Sequence, residues 1–137
     1  MTSKYNKISS LSSSKFRRLT GINRNTFSRM VLILKEHEHN RKKKPGGGLP
    51  CLSTEDSLLM WLEYLREYRT YFHVAASYNI HESSCYRYCR KIENVLIKSG
   101  VFSLPGKKAL LQADNNYQTI LIDATESPIE RPKKSVK

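Results

Sequence analysis

The sequence predicts a mainly α-helical protein: a helical bundle with a helix-turn-helix, followed by one or two β-strands that open a second domain. Three observations carry that expectation. Apolar residues recur at spacings of three and four in stretches before and after a Gly/Pro break. A tight turn at Asn79-Ile80-His81 separates a short helical segment from a long one. Near the end, Ile120, Leu121 and Ile122 form the short apolar run of a buried strand.

Residues 1–15 are rich in serine and lysine and poor in apolar residues, a composition that predicts a disordered basic N-terminus. Residues 16–39 read as N-terminal helices. Phe16, Leu19 and Ile22 surround Thr20-Gly21, a short helix ending in a turn. Asn23 suits the N-cap of the next helix, because its side chain can accept a bond from an orphan backbone N–H. In that helix Phe27, Met30, Val31 and Leu34 make one apolar stripe.

Residues 40–52 form a linker. Pro45-Gly46-Gly47-Gly48-Leu49-Pro50 cannot continue a helix. The preceding Arg41, Lys42, Lys43 and Lys44 can lie on phosphate or stay solvated, and the residues leave both open.

Residues 53–100 hold the helix-turn-helix. Ser53-Thr54-Glu55-Asp56 is a capping-box signature, in which Ser53 and Asp56 can satisfy each other's backbone donors. Leu58, Trp61, Leu62 and Leu65 form the apolar face of the helix it starts. From Phe72 to Tyr78 a short helix places the small Ala75 and Ala76 where two helices must approach closely. Asn79 fits the left-handed conformation of the turn, Ile80 points inward, and His81 stands where serine or threonine usually caps the second helix. On that helix Cys85, Tyr88, Cys89, Ile92 and Leu96 share one side. Ser83, Arg87, Arg90 and Asn94 share the other, flanked by Tyr86 and Lys91. No internal repeat is visible.

Charge suggests what such a polar face meets. The net charge of +12 is unevenly spread: residues 1–44 carry +10, residues 45–130 carry −2, and the last seven residues carry +4. Each lysine or arginine placed on a phosphate releases a counterion, so a polyanionic partner fits, although a solubilising excess gives the same count. Arginine can bond guanine bidentately through O6 and N7, and serine and tyrosine hydroxyls reach phosphates or bases. The DNA-binding candidates are therefore Ser83, Tyr86, Arg87, Arg90 and Lys91, together with Arg41, Lys42, Lys43 and Lys44. His81, Cys85 and Cys89 recur every fourth residue and could offer three zinc ligands. Structural zinc sites draw ligands from separate segments, however, and cysteine is a common core residue, so packing is the expectation. No apolar run approaches the roughly 20 residues that span a bilayer. A polar N-terminus and three cysteines at no framework spacing point to a cytoplasmic protein with no membrane partner, and a DNA partner would make it nucleoid-associated.

The order of these parts, with Phe102-Ser103-Leu104-Pro105-Gly106-Lys107-Lys108 and the run Asp123-Ala124-Thr125-Glu126-Ser127-Pro128-Ile129-Glu130-Arg131-Pro132, resembles the N-terminal portion of DDE transposases of the insertion-sequence-five group. The resemblance implies that residues 101–137 are the truncated start of a ribonuclease H-like endonuclease domain. It implies that Asp123 is the first acid of a catalytic triad, at the end of the first strand. Such enzymes use magnesium or manganese, held by hard carboxylate oxygens, to activate the attacking oxygen at a phosphodiester. The other two acids would lie beyond Lys137, so the chain is expected to hold no metal and to be inactive alone. A first reading frame completed by frameshifting and a decayed element account equally for that ending. The partner implied is double-stranded DNA at transposon ends, with the C-terminal transposase region or a full-length transposase as a protein partner. A stand-alone repressor of transposition is the alternative.

Overall fold

The computed structural model describes residues 3–41 and 50–102. The chain divides into two units, Met1–Ser103 and Leu104–Lys137, and the described residues all belong to the first. Every regular element among them is a helix. The six are α1 (Lys4–Ser9), α2 (Ser13–Thr20), α3 (Arg24–Asn40), α4 (Thr54–Glu67), α5 (Tyr71–Ser77) and α6 (Glu82–Lys98). The expected strand around Ile120–Ile122, with Asp123, lies outside the described residues, as do Lys42, Lys43 and Lys44.

α4 is the hub of the bundle, packing against α1, α2, α3, α5 and α6. That position explains why its burial is not confined to one stripe: Leu58, Leu59, Met60 and Leu62 are all buried. Each such side chain contributes about 1.5–3 kcal/mol relative to exposure. Leu65, expected on the apolar face, is half exposed. The main core joins Phe16 of α2 and Phe27, Met30, Val31 and Leu34 of α3 to Leu58, Leu59, Leu62, Ile92, Val95 and Leu96. The N-terminal helices and the helix-turn-helix on either side of the Gly/Pro segment therefore share one core.

α1 corrects the expectation of a disordered N-terminus. Six residues do not hold a helix in water, and this one is held by tertiary contacts. The Tyr5 backbone N–H, an orphan donor of the first turn, donates to Oδ1 of the buried Asp56 at 2.8 Å. The Tyr5 ring stacks on Phe27 at 5.5 Å, and Ile8 packs on the main core. Lys4 sits over the Tyr78 ring at 3.7 Å and the same distance from the Glu63 carboxylate. Asp56 consequently fills only half of the expected capping box. Its N–H donates to Ser53 Oγ at 3.1 Å, while its carboxylate serves α1 instead.

The α2–α3 turn closes through side-chain chemistry as well as glycine. Gly21 adopts φ +83, and its N–H donates to the Arg17 carbonyl. The buried Thr20 hydroxyl donates within this turn, lying 2.9 Å from the Phe16 carbonyl and 3.1 Å from that of Ile22. Asn23 occupies the N-cap position of α3, but its side chain makes no capping bond.

Candidate nucleic-acid interface

α5, the turn and α6 adopt the expected helix-turn-helix order. Thr70 caps α5, its Oγ1 accepting the His73 N–H. The turn begins as the Ile80 N–H reaches back to the Ala75 carbonyl at 3.1 Å, with Asn79 left-handed at φ 53. His81 then caps α6. Its Nδ1 accepts the Ser83 backbone N–H at 3.2 Å and lies 2.8 Å from Ser83 Oγ. The imidazole thus performs the job usually given to a serine or threonine hydroxyl.

A second, smaller core fixes the orientation of α6. Cys85 and Cys89 are fully buried with Met60, Val74 and Ala75, and Ile80 and Tyr88 pack against them. Burial pushes both thiols up, Cys89 to about 12 with further help from Cys85 and Glu93, so both are uncharged at neutral pH and behave as small apolar groups. Ala75 is buried as expected, whereas Ala76 is exposed.

With one side of α6 fixed inward, the other side faces solvent. Ser83, Tyr86, Arg87, Arg90 and Asn94 are all exposed. The Tyr86 ring meets Tyr71 edge-on at 5.5 Å, and Tyr71 stacks on Tyr64 at 4.4 Å, so an aromatic series running back to α4 braces Tyr86. The Tyr71 hydroxyl is pushed well above its ordinary range, first by its hydrogen bond with Tyr64 and then by burial. Arg87 Nε donates to the Ser83 carbonyl at 3.2 Å, and its terminal nitrogens make no hydrogen bond or ion pair among the described residues. Arg90 lies 3.1 Å from Glu93, an exposed pair of little net worth that a stronger anion can replace. Two guanidinium groups one turn apart, on the same exposed side as the Ser83 and Tyr86 hydroxyls, can bond phosphate oxygens or a guanine edge.

Lys91, expected to flank this face, is paired with another helix. Its Nζ donates to Glu38 Oε1 of α3 at 2.7 Å, and Glu38 Oε2 accepts from the Thr54 hydroxyl of α4 at 3.1 Å. Burial pushes the Glu38 carboxyl up, but the hydrogen bond and charge of Lys91, with Thr54 and His37, outweigh it and hold the group below its ordinary value. Arg41 is exposed at the C-terminal end of α3. Lys42, Lys43, Lys44 and Asp123 fall outside the described residues.

Sequence reasoning missed Cys51 and Ser84, which with Arg87, Tyr88 and Lys91 line a groove of about 290 Å³ beside α6. Nothing in the spacing of Cys51 marks it, because the linker that brings it there has no periodicity. It also missed a groove of about 500 Å³ along α2, lined by Ser13, Ser14, Arg17, Arg18, Gly21 and Asn23. No helix among the described residues is long and apolar enough to cross a membrane.

Comparison with known proteins agrees with this geometry. Residues 50–102 match the family described as helix-turn-helix of DDE superfamily endonuclease, a stretch that begins before α4 and ends just past α6. Over 134 residues, 98% of this chain, the sequence is 48% identical to the probable transposase for insertion sequence element IS702 of Microchaete diplosiphon. The chain spans 48% of that relative's length. No solved structure matches it. The chain therefore contains a transposase-related helix-turn-helix.

Proposed function

We propose that this chain is the DNA-recognising N-terminal portion of an insertion-sequence transposase of the insertion-sequence-five type, and that it reads the terminal inverted repeats of its element. The observation that carries the reading is α6. Its apolar side is locked into the second core, and its exposed side presents Ser83, Tyr86, Arg87 and Arg90 together. α6 enters the major groove, Arg87 and Arg90 contact base edges, and Ser83 and Tyr86 contact bases or backbone. Lys91 holds α6 against α3 and contributes to recognition only through that bond. Arg41, with Lys42, Lys43 and Lys44, supplies backbone contacts that carry no sequence information. In the whole protein, Asp123 would provide the first carboxylate for magnesium or manganese.

Binding isotherms of Arg87→Ala and Arg90→Ala test the reading on two duplexes, one selected by the chain from a random pool and one scrambled. Each substitution is expected to cost about 1–3 kcal/mol on the selected duplex and clearly less on the scrambled one. Equal losses on both would remove α6 as the reader of sequence.

A further inference from the structure

The structure contains the turn of the helix-turn-helix twice. In the second occurrence a short helix, α5, ends in left-handed Asn79, followed by Ile80, the N-cap His81 and the 17-residue α6. In the first, the short helix α2 ends in left-handed Gly21, followed by Ile22, the N-cap Asn23 and α3, also of 17 residues. Aligning Gly21 with Asn79 also brings four pairs of buried residues into register, while exposed Arg17 falls on buried Ala75. Phe16 falls on Val74, Phe27 on Cys85, Val31 on Cys89 and Leu34 on Ile92, and all eight are buried. The residues share no visible repeat, because packing asks for an apolar side chain at each position and not for the same one. The two turns also close differently, through Thr20 Oγ1 in the first and through the Ile80 N–H in the second.

The same alignment places exposed Asn25, Ser28 and Arg29 of α3 on the positions of Ser83, Tyr86 and Arg87. The stretch of chain they belong to is of one sign, with Lys4 and Lys35 paired to Glu63 and Glu55 of α4. Residues 3–35 carry eight basic side chains and no acid, the first acid of the chain being Glu36. Arg24 is committed internally, lying over the Phe16 ring and bonding the Leu11 carbonyl. Arg17 and Arg18 are exposed, line the α2 groove, and have no acidic partner among the described residues.

We propose that α2 and α3 form a second DNA-contacting unit, which lays Arg17 and Arg18 on the phosphate backbone of duplex DNA and presents Asn25, Ser28 and Arg29 to the adjoining groove. The inference rests on the reading of the chain as a DNA-binding protein but not on α6 being the reader. Two such units in one chain would contact a longer stretch of duplex than α6 alone, and the α2–α3 unit would add its own share of the salt-dependent affinity.

The test compares the full chain with Arg17→Ala/Arg18→Ala, Arg29→Ala and Arg87→Ala/Arg90→Ala, using a selected and a scrambled duplex. A Lys7→Ala/Lys98→Ala control removes the same charge from exposed positions outside the groove. The Arg17/Arg18 variant should weaken binding to both duplexes on the order of tenfold and lower the slope of log K against log salt by about 1.8. It should also lose one protected stretch in a hydroxyl-radical footprint, and the control should lose none. Arg29→Ala should remove protection beside that stretch while leaving the region read by α6 intact. Unchanged thermal melting, or recovery of the salt slope by Arg17→Lys/Arg18→Lys, separates lost contact from lost fold. If the Arg17/Arg18 variant keeps wild-type slope and footprint while the Arg87/Arg90 variant loses specific binding, the second unit is refuted and the α6 reading stands. If the control lowers the slope as much and erases the same stretch, the groove is not a site. If neither arginine pair matters, both readings fail. Equal footprints on duplex RNA would overturn the assignment to DNA.

Discussion

His81 offers the most direct test of how local chemistry prepares α6 for its partner. The first-turn N–H groups of a helix have no intrahelical acceptor, and here the imidazole Nδ1 accepts the Ser83 N–H at 3.2 Å. His81 is exposed, so truncating it removes the cap without opening a cavity. His81→Ala is therefore expected to cost about 1 kcal/mol, within the 0.5–2 kcal/mol seen when capping side chains are removed. For a folded unit of roughly 100 residues this lowers the melting midpoint by about 4–8 °C. His81→Ser and His81→Asp each restore an acceptor and should return the midpoint to at least the wild-type value, with aspartate gaining a little more from the helix dipole. Thermal unfolding followed by circular dichroism at neutral pH measures all four proteins. If alanine melts with the wild type, or if serine and aspartate melt with alanine, the capping argument is wrong. In that case the order at the start of α6 comes from Ile80 and Cys85 packing alone.

Other expectations follow from the same structure. Tyr68 sits in the left-handed region at φ 52 with its side chain 97% exposed, so Tyr68→Gly relieves backbone strain without losing packing. A stabilisation of about 0.5–1 kcal/mol is expected after allowing for the greater freedom of glycine in the unfolded chain, and a lower denaturation midpoint would contradict it. The Glu38–Lys91 bond makes stability depend on pH. Because the native carboxyl is held below its ordinary value of 4.5, its contribution is complete above that pH and is lost as pH falls through the lowered native value. Both side chains are partly exposed, which limits the effect to under about 1 kcal/mol. Glu38→Gln should flatten that part of the stability profile, and an unchanged acid limb would show that the bond does not form in solution. Asp56→Ala should release α1 by orphaning the Tyr5 N–H, costing about 1–3 kcal/mol. Hydrogen exchange at residues 4–9 should then accelerate selectively, and continued protection there would mean that α1 holds without Asp56.

The sequence by itself determined the features that are written within a few residues of one another. The stripe Phe27, Met30, Val31, Leu34, the stop at Gly21, the serine cap at Ser53 and the turn at Asn79 all depend on backbone geometry over one or two helical turns. Each is found where its residues place it. The division of α6 into a buried side with Cys85 and Cys89 and an exposed side with Arg87 and Arg90 was legible for the same reason. The tertiary structure alone decided whatever joins residues far apart in the chain. A polar six-residue segment became α1 because an acceptor 51 residues away, Asp56 Oδ1, met its free N–H. Lys91, expected among the DNA contacts, pairs with Glu38, 53 residues earlier, a bond that no local pattern announces. Two turns 58 positions apart (Gly21 and Asn79) share four buried positions around them while sharing little composition. Periodicity and capping are local properties of a chain. The partner of a charge and the neighbour of an apolar face are settled only when the helices pack, because packing constrains shape and polarity at each position and leaves residue identity free.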